Sequence, residues 1–177
     1  MLIHEAMRGP RAHAVIRHER PYDYDEKTGL WLYRVIDEVD AWNIVTDAGR
    51  RRIHTYLYGA AGQRASLGGG LNYIALSNDP AAPAAGDTVL ASEITNTPST
   101  AGLQRALATV TLPVGAGTQT TLQKIFTYTG VPGPQSVQKM AVFDDPTTGT
   151  MAHEIQFATR TLFTNDTLAI TLTITLS

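Results

Sequence analysis

Residues 166–176, DTLAITLTITL, decide the fold. Leu168, Ile170, Leu172, Ile174 and Leu176 take every even position, and Ala or Thr takes every odd one from 167 to 175. Successive side chains of a strand point to opposite faces, so this order places a branched aliphatic stripe on one face and a threonine ladder on the other. The stretch is a strand with one face for a core. Upstream of it, 105–112 (RALATVTL), 119–128 (QTTLQKIFTY), 137–143 (VQKMAVF) and 151–158 (MAHEIQFA) are shorter strands of the same kind, separated by the turn signals GVPGPQ and DDPTTG. Threonine marks the whole half: 21 of its 24 occurrences in the 177-residue chain lie at 81–177. Beta-branched residues fit a pleated, half-buried surface. The expected class is mainly β, an antiparallel β-sandwich that is Ig-like or jelly-roll-like.

The first half is a different kind of chain. It holds 10 of the 14 Lys and Arg and 10 of the 16 Asp and Glu. Residues 1–11, with Arg8, Pro10 and Arg11, lack periodicity and read as an extended arm that orders on a partner. Residues 12–18 (AHAVIRH) and 30–39 (LWLYRVIDEV) read as a hairpin with a long polar loop at 19–29. Trp31, Tyr33 and Val35 share one face of its second strand, and Leu30, Leu32, Arg34 and Ile36 the other. Thr46 or Asp47 caps one short helix, with Ile53, Tyr56 and Leu57 on one face and Gly59 as its stop. Arg50, Arg51 and Arg52 fall in its first turns, the wrong end for the helix dipole. They call for a carboxylate on a neighbouring surface, or else are solvated. The resulting division is an arm at 1–11, hairpin plus helix at 12–58, a flexible loop at 59–70 and a sandwich at 71–177, with 12–177 expected to form one compact domain. Residues 71–77 read as a short buried strand and 78–87 as a Pro/Ala/Gly loop.

The chain offers little catalytic chemistry. It has no cysteine, so thiolate chemistry and disulfides are excluded. A net charge of −2 argues against bulk electrostatic binding of nucleic acid. No apolar run approaches the roughly 18 residues of a membrane span, and no secretory leader is visible. His4, His13, His18, His54 and His153 form no metal-ligand spacing. Asp23, Asp25 and Glu26 lack the spacing of a calcium loop and read as a solvated acidic turn. Gly68–Gly70 precedes a strand rather than a helix, so it cradles no phosphate. His153 reads as a solvated or core-edge strand residue. The expectation is no enzyme, no metal and no cofactor. Tyr22, Tyr24, Trp31, Trp42, Tyr56, Tyr58 and Tyr73 supply flat rings, for cores, for interfaces or for stacking on sugars.

The order of these signals resembles a group of small virion proteins of tailed bacteriophages. The residues that carry the likeness are Asn43-Ile44-Val45-Thr46-Asp47-Ala48-Gly49 with Ile53, then Tyr73-Ile74-Ala75-Leu76. Asp87-Thr88-Val89-Leu90-Ala91-Ser92-Glu93 follows, then Arg105-Ala106, Lys139-Met140-Ala141-Val142-Phe143 and Asn165-Asp166-Thr167-Leu168-Ala169-Ile170. Collinear over 43–177, they depart from the pattern at Ser77, where glycine is usual, and before Phe143, where a Glu-Gly pair is missing. The resemblance implies a β-rich virion structural protein, located in the virion, of the capsid-decoration or head-fibre type. Tail, adaptor or collar-fibre proteins belong to the same group. Its partners would be itself and major capsid, portal or tail proteins, through an assembly interface for which Arg8, Arg11, Trp31, Trp42 and Arg50–Arg52 are the candidates. A carbohydrate- or host-surface-binding module is the alternative of another class.

Overall fold

A computed structural model describes residues 11–42, 44–46, 49, 70–112 and 119–175. The chain is mainly β, with ten strands among the described residues: β1 Arg11–Asp25, β2 Leu30–Trp42, β3 Ile44–Val45, β4 Tyr73–Ser77, β5 Ala106–Leu107, β6 Thr109–Thr111, β7 Gln119–Thr127, β8 Gln135–Phe143, β9 Met151–Leu162 and β10 Thr167–Thr175. They form two antiparallel sheets, ordered β2-β1-β10-β7-β6 and β3-β9-β8-β4-β5. The long-range pairs are nested: β1 with β10, β3 with β9, β4 with β8, and β6 with β7.

The closing strand behaves as its alternation requires. Leu168, Ile170 and Leu172 are buried, while Ala169, Thr171 and Thr173 on the other face are half-buried. The stripe joins Ala14, Ile16, Leu122 and Phe126 of its own sheet, and Ile74, Leu76, Met140, Val142, Ile155 and Phe157 of the other, in one core. A second, smaller cluster lies on the opposite face of the β4-β8-β9 sheet, where Leu90 from the 78–93 loop covers Ala75, Ala141, Phe143 and Met151.

Three expectations need correction. The hairpin has no long loop: β1 runs through the polar stretch at 19–25, and the reversal is a tight turn. Asp25 builds that turn, accepting the Lys27 amide at 2.9 Å and the Thr28 hydroxyl at 2.8 Å, and Gly29 takes φ +70. Arg11, assigned to the arm, begins β1 opposite Thr175. The single strand expected at 105–112 is two, because the chain crosses between sheets there: β5 pairs β4 and β6 pairs β7, on either side of buried Ala108. The helix expected after Thr46 and the arm at 1–10 lie outside the described residues; Thr46 Oγ1, fully buried, accepts the Gly49 amide at 3.0 Å.

Gly102 holds the loop before β5 against the end of β7. Its φ is +89, and a Cβ there would run into the Thr127 carbonyl oxygen. Gly102→Ala should therefore destabilise by more than about 1 kcal/mol, since both backbone strain and a backbone clash oppose it. The check is a fall in the urea midpoint at unchanged slope.

Candidate functional site

The β1–β2 hairpin outruns its sheet. β10 pairs β1 only from Arg11 to Glu19, so beyond that point β2 is the one strand neighbour of β1 among the described residues. A two-stranded ribbon results, and two-stranded ribbons are marginal on their own in water. It is also apolar. All eight large apolar or aromatic side chains between Tyr22 and Ile36 are exposed, Leu30 at 65 % and Trp31 at 57 %. Trp31 packs only partly, on Tyr24 with ring centroids 5.2 Å apart. These side chains cover both faces of the ribbon, Trp31, Tyr33 and Val35 on one and Leu30, Leu32 and Ile36 on the other, and aromatic rings are enriched where proteins meet. Among the described residues β2 is moreover an edge strand of its sheet, and edge strands are where further strands can pair.

Buried ion pairs fix the root of the ribbon. Asp166, 1 % exposed, accepts from His18 Nε2 at 2.8 Å, from Arg20 Nε at 3.0 Å and from the Phe163 amide at 2.9 Å. Burial alone would raise its carboxyl, but the Arg20 hydrogen bond, the Phe163 amide and His18 outweigh it and hold Asp166 below the usual range. Arg160 of β9 reaches Asp37 of β2 at 2.7 Å, tying the two sheets together. On the far side of the molecule Arg105 hydrogen-bonds Glu93 at 2.6 Å, lies 3.5 Å over the Phe143 ring and donates to the Asp145 and Thr148 carbonyls. Glu93, Arg105 and Phe143 all belong to the motifs that carried the phage resemblance. Here they form a clamp on three loops.

A second polar feature lies under the 78–93 loop. Lys139 of β8 is 2 % exposed and donates to Asp79 at 2.6 Å and to Glu154 of β9 at 3.1 Å. Burial pulls the Lys139 ammonium down, and the two carboxylates more than reverse that. Glu154, 1 % exposed, is pushed up, first by burial and further by its hydrogen bond with the Asp87 carboxyl, with Lys139 opposing. Asp79, Asp87, Lys139 and Glu154 line a cleft of about 300 Å³, together with Gly86, Thr88 and a set of alanines and Val89.

Of the residues singled out from sequence, Trp31 stands on the exposed ribbon. Arg11 and Trp42 are placed as positions of β1 and β2. Arg8 and Arg50–Arg52 lie outside the described residues. His13 and His18 face opposite sides of β1, His13 toward Asp40 and His18 into the interior. His153 is neither solvated nor at an edge: it is 2 % exposed, opposite Val142, and burial lowers its imidazole to about 4, so the ring is neutral. The ion clusters at Asp166 and Lys139 were missed, because their members lie far apart in sequence. No protein-family model matches this chain, and no curated protein does.

Proposed function

We propose that the protein is a structural component of a bacteriophage virion, of the capsid-decoration or head-fibre type, which assembles with itself and with capsid proteins through the β1–β2 ribbon. The observation that carries the assembly reading is the exposed aromatic ribbon at what is, among the described residues, an edge of the sheet. The phage assignment rests on the collinear motifs. The two sheets are read as a sandwich nearer to jelly-roll-like than to Ig-like, because first-with-last nested pairing is a jelly-roll habit; the β8–β9 neighbours within one sheet depart from it. Arg8, Arg11, Trp42 and Arg50–Arg52 are proposed as further interface residues. A tail or collar position is the variant reading. The same exposed rings favour, as a second reading, stacking on a host glycan.

The ribbon is tested by Trp31→Ser with Tyr33→Ser. Because both side chains are already exposed, the double variant should keep its circular dichroism and shift stability by only about 0.5 kcal/mol per site. Light scattering should show the wild type as an oligomer and the variant as a monomer. A wild-type monomer would remove the assembly reading. A glycan array that loses binding in the same variant would move the assignment to the second reading. Antibody labelling of purified particles then separates head from tail, and particles that carry no label would end the virion proposal.

A further inference from the structure

We propose, resting on the reading of the ribbon as the self-assembly surface, that two copies stack their ribbons face to face about a two-fold axis, strands reversed, through the side that carries Leu30, Leu32 and Arg34.

Register sorts the charges of the ribbon onto one face. Alternation puts Leu30, Leu32 and Arg34 on the same side of β2. Their partners directly across on β1 are Asp25, Asp23 and Arg20. Residues directly opposite in an antiparallel pair share a face. Arg20 and Asp23 are three apart and would fall on opposite faces of a regular strand. The register shift between Pro21 and Asp23 leaves Tyr22 out of the ladder and brings both to the same face. The strip therefore runs from Asp25 and Asp23 near the tip, beside Leu30 and Leu32, to Arg20 and Arg34 at the root. The other face, with the rows Tyr24–Trp31 and Pro21–Tyr33, carries no charge there.

The root charge is unbalanced. Arg20 and Arg34 stand directly across from each other, an arrangement that costs a sheet stability. Asp166 neutralises Arg20, whose Nε lies 3.0 Å from Oδ1. Arg34 is exposed, and no carboxylate pairs with it among the described residues. Asp23 is exposed as well and accepts the neighbouring Tyr24 amide at 2.8 Å. A strip that is acidic at one end and basic at the other is complementary to its own reversed copy. A two-fold axis, the commonest symmetry of homo-oligomers, makes that reversal. It lays the acidic end of each ribbon along the basic end of the other and closes Leu30 and Leu32 of both copies into the contact. Stacking also supplies the second layer that a two-stranded ribbon lacks. Pairing of two β2 edges fits less well. A second register shift, between His18 and Glu19, leaves Ile36 of β2 out of the ladder, and bulges guard edges against added strands. Trp31→Ser with Tyr33→Ser reaches the contact from behind, by removing the Tyr24–Trp31 packing that braces the two strands.

Charge reversal in the full chain, read by sedimentation equilibrium, tests the contact. The wild type should be a dimer or an even multiple of one, and its association should weaken between about 50 and 500 mM salt. Arg34→Asp and Asp23→Arg should each weaken association about a hundredfold, because the axis repeats every reversed pair and each like-charge contact costs about tenfold. Both sites are exposed, so circular dichroism should not change. Two recoveries follow from the two-fold strip. The double variant, Arg34→Asp with Asp23→Arg, again sets opposite charges together and should regain most of the association. An equimolar mixture of the two single variants should form a heterodimer, although neither associates alone. Charge reversals that associate like the wild type, while Trp31→Ser with Tyr33→Ser dissociates, would overturn this contact and leave the assembly reading standing. A monomeric wild type would overturn both. An odd-numbered oligomer, or a mixture that stays monomeric, would overturn the two-fold strip.

Discussion

Asp166→Ala should destabilise the protein by about 3–5 kcal/mol, because it strips the counter-charge from a buried pair and leaves polar partners behind. The carboxylate is 1 % exposed and holds His18, Arg20 and the Phe163 amide at once. Asp166→Asn, of the same shape, should recover part of the loss by accepting from one of these donors. Urea titration reads both. The pH dependence has a fixed sign. Asp166 is held below its unfolded value, so its contribution is present above the ordinary carboxylate range and drains away as pH falls through the depressed native value. Asp166→Ala should lose that part of the acid limb. An acid limb identical to wild type would show that the carboxylate contributes nothing net. Because the same group anchors the base of the ribbon through Arg20, the variant should also weaken the self-association proposed for the ribbon before it unfolds.

Leu172→Ala should cost about 2–5 kcal/mol, through lost burial and the cavity left behind. Leu172 is completely buried, between Ala14 of β1 and Leu122 of β7 in register. Its neighbour Thr171 points to the outer face, where Thr171→Ala should remove little more than β propensity, within about 1 kcal/mol. A urea midpoint that falls further for Thr171→Ala than for Leu172→Ala would reverse the two faces of β10.

That contrast was legible because period-two alternation is a local signal with one meaning. The hairpin length was not. Glu19-Arg20-Pro21-Tyr22-Asp23-Tyr24-Asp25 has loop composition, yet it is strand. Pro21 sits beyond the reach of β10, next to a register shift, where a missing N–H leaves no ladder bond unmade on that side. Polar residues are tolerated there because the ribbon has no core face to fill. The strand at 105–112 was seen but its break was not, since the change of sheet at Ala108 is set by its amide bonding the Asn72 carbonyl. Trp31 was readable from sequence only as a flat ring for a core, an interface or a sugar, and its 57 % exposure comes from the ribbon outrunning its sheet. The Lys139 cleft was not, because Asp79 and Glu154 reach one ammonium from 60 and 15 residues away, and a lone Lys in an apolar strand carries no mark of its partners.

The pairing of β1 with β10 has a consequence for how the protein is made. Arg11 finds its partner only when Thr175 has emerged from the ribosome. Until then one sheet lacks its central strand, β10, and the nested pairs β3–β9 and β4–β8 likewise wait for β9 and β8. Closure entropy is spent over most of the chain before the core rewards it, which makes folding slow and late rather than progressive. During that interval the nascent chain carries an aromatic ribbon beside an unfilled sheet, so two chains on one polysome are poised to exchange β10. Synthesis rate and chaperone supply, more than native stability, should then set the yield of correctly assembled protein.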